Sequence, residues 1–276
     1  MTIVCSVCTK KNIDVWLLSS FAIIKNIIAD KYSVIVPADD VKLFRDLSPA
    51  QYDIIDEDKL LPGLRERLAG HIKIKNYYRF GWYYQQLLKL AYLKTYGIDN
   101  DVIIWDADTI PLKKITLFEG EIAYYYSSGE YNENYFSQIN NLLGHGKIVS
   151  ESFIAQCLAC RSEWINNFFD LLEIKSKNNN DDWISLIIKS IDFNQESGFS
   201  EYELLGSYFK KNYNNFFIDK KRKWFRFGSN LCEVQKCPKF IFYLCSIFFD
   251  HMTFEKWTVK GGRPKGILLL LRALYK

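Results

Sequence analysis

Residues 101–112 read Asp101-Val-Ile-Ile-Trp105-Asp106-Ala107-Asp108-Thr-Ile-Pro-Leu112, or DVIIWDADTIPL. The run DVIIW is short and apolar, which is the pattern of a buried strand. It ends at Trp105, and Asp106-Ala107-Asp108 follows at once. In open α/β sheets, ligands bind at the carboxyl ends of the strands. Two carboxylates at i and i+2, separated by a small alanine, can reach one hard cation there. Mg²⁺ or Mn²⁺ takes oxygen ligands and shares them with substrate phosphates. Such a cation would act as a Lewis acid toward a departing diphosphate. D-x-D alone is a weak signal, and it occurs three times, at Asp56/Asp58, Asp99/Asp101 and Asp106/Asp108. Context separates them. The first precedes a Leu-Leu-Pro loop, and the second is the turn entering the strand. Only Asp106/Asp108 sits just beyond a buried strand.

Outward from this stretch the chain alternates strands and helices. Thr2–Val7 reads as a strand, Lys10–Asp14 as a polar loop, and Val15–Ala29 as a helix. Tyr32–Val36 follows as a strand closed by Pro37-Ala-Asp-Asp. This is the β-α-β rhythm of an α/β, mostly parallel sheet flanked by helices. Trp82–Tyr96 reads as a helix ending at Gly97. Glu121–Tyr126 and Ser152–Cys160 read as strands. Trp164–Ile174, Trp183–Ile191 and Tyr202–Lys211 read as helices, with Ser176–Asp182 as a loop. Phe240–Phe249 is a strand or short helix, and Ile267–Tyr275 an apolar helix beyond a hinge at Gly261-Gly262. One domain over residues 1–255, with a basic, apolar tail over 256–276, is the simplest organisation.

Composition narrows the function. The 276 residues are 49% hydrophobic and 25% charged, which excludes a disordered chain, a collagen-like fibre and a coiled coil. A net charge of +4 is mild and argues against a nucleic-acid partner. No basic segment precedes MTIVCSVCT, so a secretory signal is not expected. The apolar run Phe240–Phe249 is too short to span a bilayer. Of seven cysteines, Cys5/Cys8 and Cys157/Cys160 form C-x-x-C pairs. They sit in apolar runs, so buried free thiols in a reducing cytoplasm are expected rather than a zinc site.

Several other residues carry possible chemistry. Ser200-x-x-Glu203 is a capping box and starts a helix, which accounts for Glu203 but not for Glu201. A carboxylate at that helix start could serve as a base toward an acceptor hydroxyl or bind sugar hydroxyls. Asp182, in the NNNDD loop, is a third candidate base. Lys89 lies on the polar face of its helix with Gln85, as a solvated lysine or as a point charge for a phosphate. His251 could complete an octahedral site with Asp106 and Asp108. His145, between glycines, could cover a substrate. The tail has no acid after Glu255, which is a membrane-surface signature, and a helix docked on its own domain explains it equally well.

Four segments then stand in a recognisable order: GWYYQQLLKLAY, IIWDADTIPL, ESFIAQCLACR and GFSEYELLGSYF. Over residues 1 to 255 the chain resembles a bacterial group of GT-A-type glycosyltransferases, the DUF6492 group. The resemblance implies a GT-A (Rossmann-like) fold, a nucleotide-sugar donor, most often UDP-linked, and Mn²⁺ or Mg²⁺ on Asp106 and Asp108. It implies that Asp106 also touches the ribose or diphosphate. Glu201 and Glu203 would lie near the acceptor. The edges holding Val7, Thr9 and Lys10, and Pro37, would seat the base, and His251 would be the late metal-binding histidine. The tail matches nothing in the resemblance.

The expected activity is metal-dependent transfer of a sugar from a nucleotide diphosphate to a hydroxyl of a bacterial surface glycan or glycolipid. Such an enzyme would be cytoplasmic or peripheral on the inner face of the plasma membrane. Asp106 and Asp108 would hold the metal and His251 would assist. Glu201, Glu203 or Asp182 would be the base if the reaction inverts. A sugar nucleotidyltransferase would usually show a glycine-rich first loop, whereas Cys8-Thr-Lys-Lys-Asn12 has none. A non-catalytic glycan- or membrane-binding module would suit the aromatics and tail, but has no use for Asp106/Asp108.

Overall fold

The computed structural model describes residues 1–256 and 263–275. Its central sheet contains β1 (Thr2–Val7), β2 (Lys31–Val36), β3 (Tyr52–Asp56), β4 (Asp101–Trp105) and β8 (Cys157–Cys160). The order is β3-β2-β1-β4-β8, with the first four strands parallel and β8 antiparallel to β4. All of β4 beyond Asp101 is buried, as expected of a strand covered on both faces. The helices Ile13–Asn26 and Phe80–Tyr96 supply Trp16, Ile23, Tyr83, Leu87, Leu88 and Leu93 to the main core. Parallel pairing puts the carboxyl ends of β1, β2, β3 and β4 on one edge, and the Asp106 turn leaves from it.

Two smaller sheets shape that edge. β5 (Thr109–Pro111) pairs antiparallel with β10 (His251–Thr253). β7 (Ile122–Tyr125) lies between β6 (Phe118–Glu119) and β9 (Phe217–Asp219). Beside them a second, smaller core gathers Val15, Ile110, Phe225, Cys245, Phe249 and Met252. The helices Lys239–Phe248 and Arg263–Tyr275 close it, through Ile241 and Phe242 from one and Leu269, Leu270 and Ala273 from the other. A Cβ on Gly266 would stand 2.1 Å from the Asn230 carbonyl oxygen, so glycine is what lets the last helix press against Gly228–Leu231. The C-terminal helix is therefore docked on its own chain. The hinge at Gly261-Gly262, along with Lys260 and Lys276, lies outside the described residues.

Several boundaries differ from the sequence reading. The polar segment Lys10–Asp14 is a 3-10 turn over Lys10–Asn12 that runs into a helix starting at Ile13. Only Cys157–Cys160 of the expected Ser152–Cys160 strand joins the central sheet, because Gln156 adopts φ 64°, which breaks the extended run, while Ser152 makes an isolated bridge to Ser128. The expected Ser176–Asp182 loop begins later, since the helix from Ser162 continues to Asn178. Phe240–Phe249 resolves as a helix over Lys239–Phe248. The helix Glu133–Leu143 was not legible. It is capped by the Asn132 side chain and stopped by Gly144 at φ 75°. Cys5, Cys8, Cys157 and Cys160 are buried free thiols, and burial pushes each thiol pKa up. Cys232 and Cys237 are bridged.

Candidate active site

The backbone carrying the two aspartates is held carbonyl by carbonyl. Ser6 Oγ donates to the Trp105 carbonyl at 2.7 Å, and Thr109 N–H to that of Asp106 at 3.0 Å. Ser19 Oγ donates to the Ala107 carbonyl at 2.5 Å, and Phe254 N–H to that of Asp108 at 2.8 Å. The Asp106 N–H itself donates to the Gln156 carbonyl at 2.9 Å, which explains why the chain accepts a left-handed residue there. Four other segments, at Ser6, Ser19, Gln156 and Phe254, together with its own Thr109 bond, thus fix the turn. A site held by its own backbone bonds needs little reorganisation to receive a ligand.

The two carboxylates differ in their surroundings. Asp106 Oδ1 accepts from Lys89 Nζ at 2.5 Å and from the Tyr202 hydroxyl at 2.7 Å. Lys89 also donates to Glu201 Oε1 at 2.6 Å and sits 4.4 Å from the Tyr202 ring centroid. Gln86, one turn before Lys89, accepts from the Glu201 backbone N–H at 3.1 Å, so one face of the Phe80–Tyr96 helix grips the start of the Glu201–Asn212 helix twice. Burial alone would lower the Lys89 pKa, but the Asp106 and Glu201 charges raise it above the ordinary lysine range. Burial raises Glu201, and the Lys89 charge opposes the rise.

Asp108 has no such partner among the described residues. Burial, then the charges of Asp106 and Glu255, push its carboxyl up to about 8. Glu255 is itself tied down by Arg226, at 2.9 Å, and by Gln156 Nε2, at 3.0 Å. Cys8, at the end of β1, feels the Asp108 charge after its own burial, which places the first loop beside Asp108. Asp106 and Asp108 together offer hard oxygen donors to a divalent cation that keeps the rest of its shell for phosphates and water. Among the described residues, no group of three or more His, Cys, Asp or Glu is arranged as a metal cage.

The remaining candidates fall into three groups. Val7, Thr9, Lys10 and Pro37 line the carboxyl edge of β1 and β2. There the Lys10 N–H donates to Asp40 Oδ2 at 3.1 Å and the Lys10 side chain stays exposed. Lys89 and Glu201 join Asp106, as described. Of the two readings of Lys89, a solvated lysine or a point charge for a phosphate, the first is overturned: it is 2% exposed and its ammonium is engaged by two carboxylates. Others are occupied elsewhere. Glu203 accepts from Ser152 Oγ and from the Phe153 N–H at 3.2 Å, bracing the segment before β8, while the Ser200 Oγ caps the helix at 3.3 Å. Asp182 caps the Trp183–Ser190 helix through the Ser185 N–H at 2.9 Å and pairs with Arg67 at 2.6 Å.

The structure does not assemble His251 with the aspartates. Its Nε2 hydrogen-bonds the Ala155 carbonyl at 3.0 Å, so that nitrogen carries the proton. Its ring is enclosed by Trp105, Tyr126 and Trp224, and burial lowers its pKa to about 4. His145 is half-buried and bonds the Gly146 carbonyl at 3.1 Å. Sequence reasoning missed Tyr202, although it lies between the two flagged glutamates. It also missed Gln86, three residues before Lys89, where the i, i+3 spacing was the available signal. Ser6, Ser19 and Gln156 left no local signal.

Comparison with known proteins adds the following. The profile of DUF6492, a family of unknown function, matches residues 10–223. No curated protein matches the chain. Among solved structures, apo mouse xyloside xylosyltransferase 1 superposes with a TM-score of 0.52 at 9% identity, covering 94% of this chain and 99% of its own. An active-site mutant of LgtC superposes at 0.50 with 12% identity, covering 99% of this chain and 96% of its own. A galactosyltransferase LgtC complex with donor and acceptor sugar analogues superposes at 0.49 with 11% identity, covering 99% and 96%. The fold is the expected GT-A arrangement, an α/β protein with a mostly parallel sheet.

Proposed function

From the premise that this chain belongs to the DUF6492 family and has a GT-A fold, we propose that it is a glycosyltransferase using a nucleotide-diphosphate sugar, with UDP the first base to test. The observation that carries the reading is the rigid Asp106–Asp108 turn at the carboxyl edge of the parallel strands. One of its carboxylates is braced by Lys89 and Tyr202, and the other has no partner among the described residues. A turn that is only structural has no use for an unpaired, partly buried Asp108 carboxyl set beside the Asp106 and Glu255 charges, which oppose its ionisation. The same fold serves mouse xyloside xylosyltransferase 1 and LgtC, which supports transfer chemistry.

Asp106 and Asp108 would hold Mn²⁺ or Mg²⁺, which when bound supplies positive charge toward the diphosphate. Lys89 pairs with Asp106 and fixes its orientation, and Tyr202 restrains the same oxygen. Val7, Thr9, Lys10 and Pro37 form the strand ends against which a nucleoside would lie. Glu201 acts through Lys89 as a positioning group, and Glu203 braces the wall beside β8. Either would have to leave its present bonds to take a proton from an acceptor hydroxyl, such as that of a surface glycan or glycolipid. The test is release of nucleoside diphosphate from a panel of UDP-, GDP- and CDP-sugars with and without Mn²⁺. Release that needs Mn²⁺ and is lost in Asp108→Asn supports the proposal. Release from no donor, or equal release by the variant, overturns it.

A further inference from the structure

The helix Lys239–Phe248 is apolar on two sides, and the chain covers only one of them. Ile241, Phe242 and Cys245 face the small core. Phe240, Tyr243, Leu244, Ile247 and Phe248 follow the i, i+3, i+4, i+7, i+8 rule of a single helical face, and all are 48–69% exposed. No charged residue interrupts that face between Lys239 and Asp250. The docked C-terminal helix closes the same core and likewise turns Leu268 and Leu271 outward, 48% and 46% exposed. Contiguous exposed apolar rows of this kind mark interaction surfaces rather than ordinary solvent faces.

Cations dominate this part of the sequence, and the exposed acid just before it, Glu233, is paired with Lys236. From Pro238 to the end of the sequence there are seven Lys or Arg, and the only acids are Asp250 and Glu255. Both acids are buried, Asp250 against Arg222 and Lys113, and Glu255 against Arg226. Lys223 ties the region together. Its carbonyl accepts the Asp250 N–H just past the end of the apolar helix, and its ammonium reaches the Leu274 carbonyl of the last helix. Beside Asp250 lies a surface depression whose lining carries four cations, Lys113, Lys114, Lys220 and Arg222, against the acids Asp250 and Glu119. An apolar row with a cationic rim is the pattern of a helix that lies in the plane of a membrane interface. A second copy of the chain is the poorer fit, because an isologous contact would bring the same cations face to face. Among the described residues, no helix is long and apolar enough to cross a bilayer.

We propose that the outer faces of the Lys239–Phe248 and Arg263–Tyr275 helices dock this chain on an anionic lipid surface. Phe240, Tyr243, Leu244, Ile247 and Phe248 enter the interface, and the surrounding Lys and Arg meet the headgroups. This inference is independent of the donor chemistry. The test is co-sedimentation of the full chain with phosphatidylcholine vesicles, plain or containing roughly one third phosphatidylglycerol. The wild type should pellet with the anionic vesicles, less so at raised salt, and stay in solution with the neutral ones. Leu244→Ser/Ile247→Ser should lower partitioning about tenfold with an unchanged melting temperature, because both side chains are exposed. The proposal fails if the wild type ignores anionic vesicles or if the variant pellets equally. It also fails if sedimentation velocity shows a dimer that the variant disperses while vesicles bind neither protein.

Discussion

Replacing Lys89 with Met keeps the length and apolar stem of the side chain and removes one buried charge. The ammonium touches Asp106 at 2.5 Å and Glu201 at 2.6 Å, and Lys89 and Glu201 are each 2% exposed. Removing one partner of such a cluster leaves the Glu201 charge buried and unpaired, which costs about 3–5 kcal/mol. Asp106 suffers less, since the Tyr202 hydroxyl still holds it at 2.7 Å. In Lys89→Met/Glu201→Gln the unpaired anion is gone, so a large share of the loss should return. The single variant should also respond to pH. Without Lys89, the Glu201 pKa rises further above its unfolded value of 4.5, so the deficit is smallest at low pH and grows as pH rises. Urea unfolding at pH 5 and pH 7, with midpoints compared at constant m, measures both effects. A loss under about 1 kcal/mol for Lys89→Met, or strictly additive losses in the double variant, would refute the reasoning.

Further outcomes follow from other contacts. Gly206→Ala should destabilise although alanine favours a helix, because its Cβ would stand 2.2 Å from the buried Phe153 ring. Overpacking of about 1–3 kcal/mol outweighs the propensity gain of about 1 kcal/mol, and a lowered melting temperature is the check. His251 is neutral in the fold, with its pKa lowered from 6.5 to about 4 by burial. The unfolded state therefore binds a proton first as pH falls, and stability present above pH 6.5 should decline by roughly 3 kcal/mol by pH 4. His251→Gln, which keeps a donor for the Ala155 carbonyl, should flatten that part of a stability–pH profile. The five free thiols are all buried, so a water-soluble disulfide reagent should label the native protein only on the unfolding timescale. Rapid labelling without denaturant would contradict the packing around β1 and β8 for Cys5, Cys8, Cys157 or Cys160, and that of the smaller core for Cys245.

The β-α-β frame and the position of Asp106/Asp108 just beyond a buried strand were legible because each depends on local pattern. An apolar run that stops at a polar pair can be read from DVIIWDAD alone, and the capping serine at Ser200 from its spacing to Glu203. What could not be read were partnerships across long stretches of chain. Lys89 meets Glu201 across 112 residues, and Gln156 meets Asp106 only because a left-handed backbone turns its carbonyl inward. A lysine on a helix face that also carries glutamines reads as solvated until the fold brings another helix N-terminus against it. Asp182 and Glu203 show the reverse. Both looked chemically available in sequence, and both are engaged in a cap or a brace.

Calorimetric or thermal-shift titration of UDP, GDP, CDP and ADP, with and without Mn²⁺, tests the Asp106–Asp108 edge most directly in the wild type and Asp108→Asn. A nucleotide that binds the folded state at a hundredfold excess over its Kd adds about 2.7 kcal/mol and raises the melting temperature. A Mn²⁺-dependent rise with one nucleoside diphosphate, absent in Asp108→Asn while the unliganded variant stays folded, is the result expected. An identical rise in both proteins, or none with any nucleotide and metal, would make the Asp106-Ala107-Asp108 turn a structural feature and remove the basis for the transferase reading.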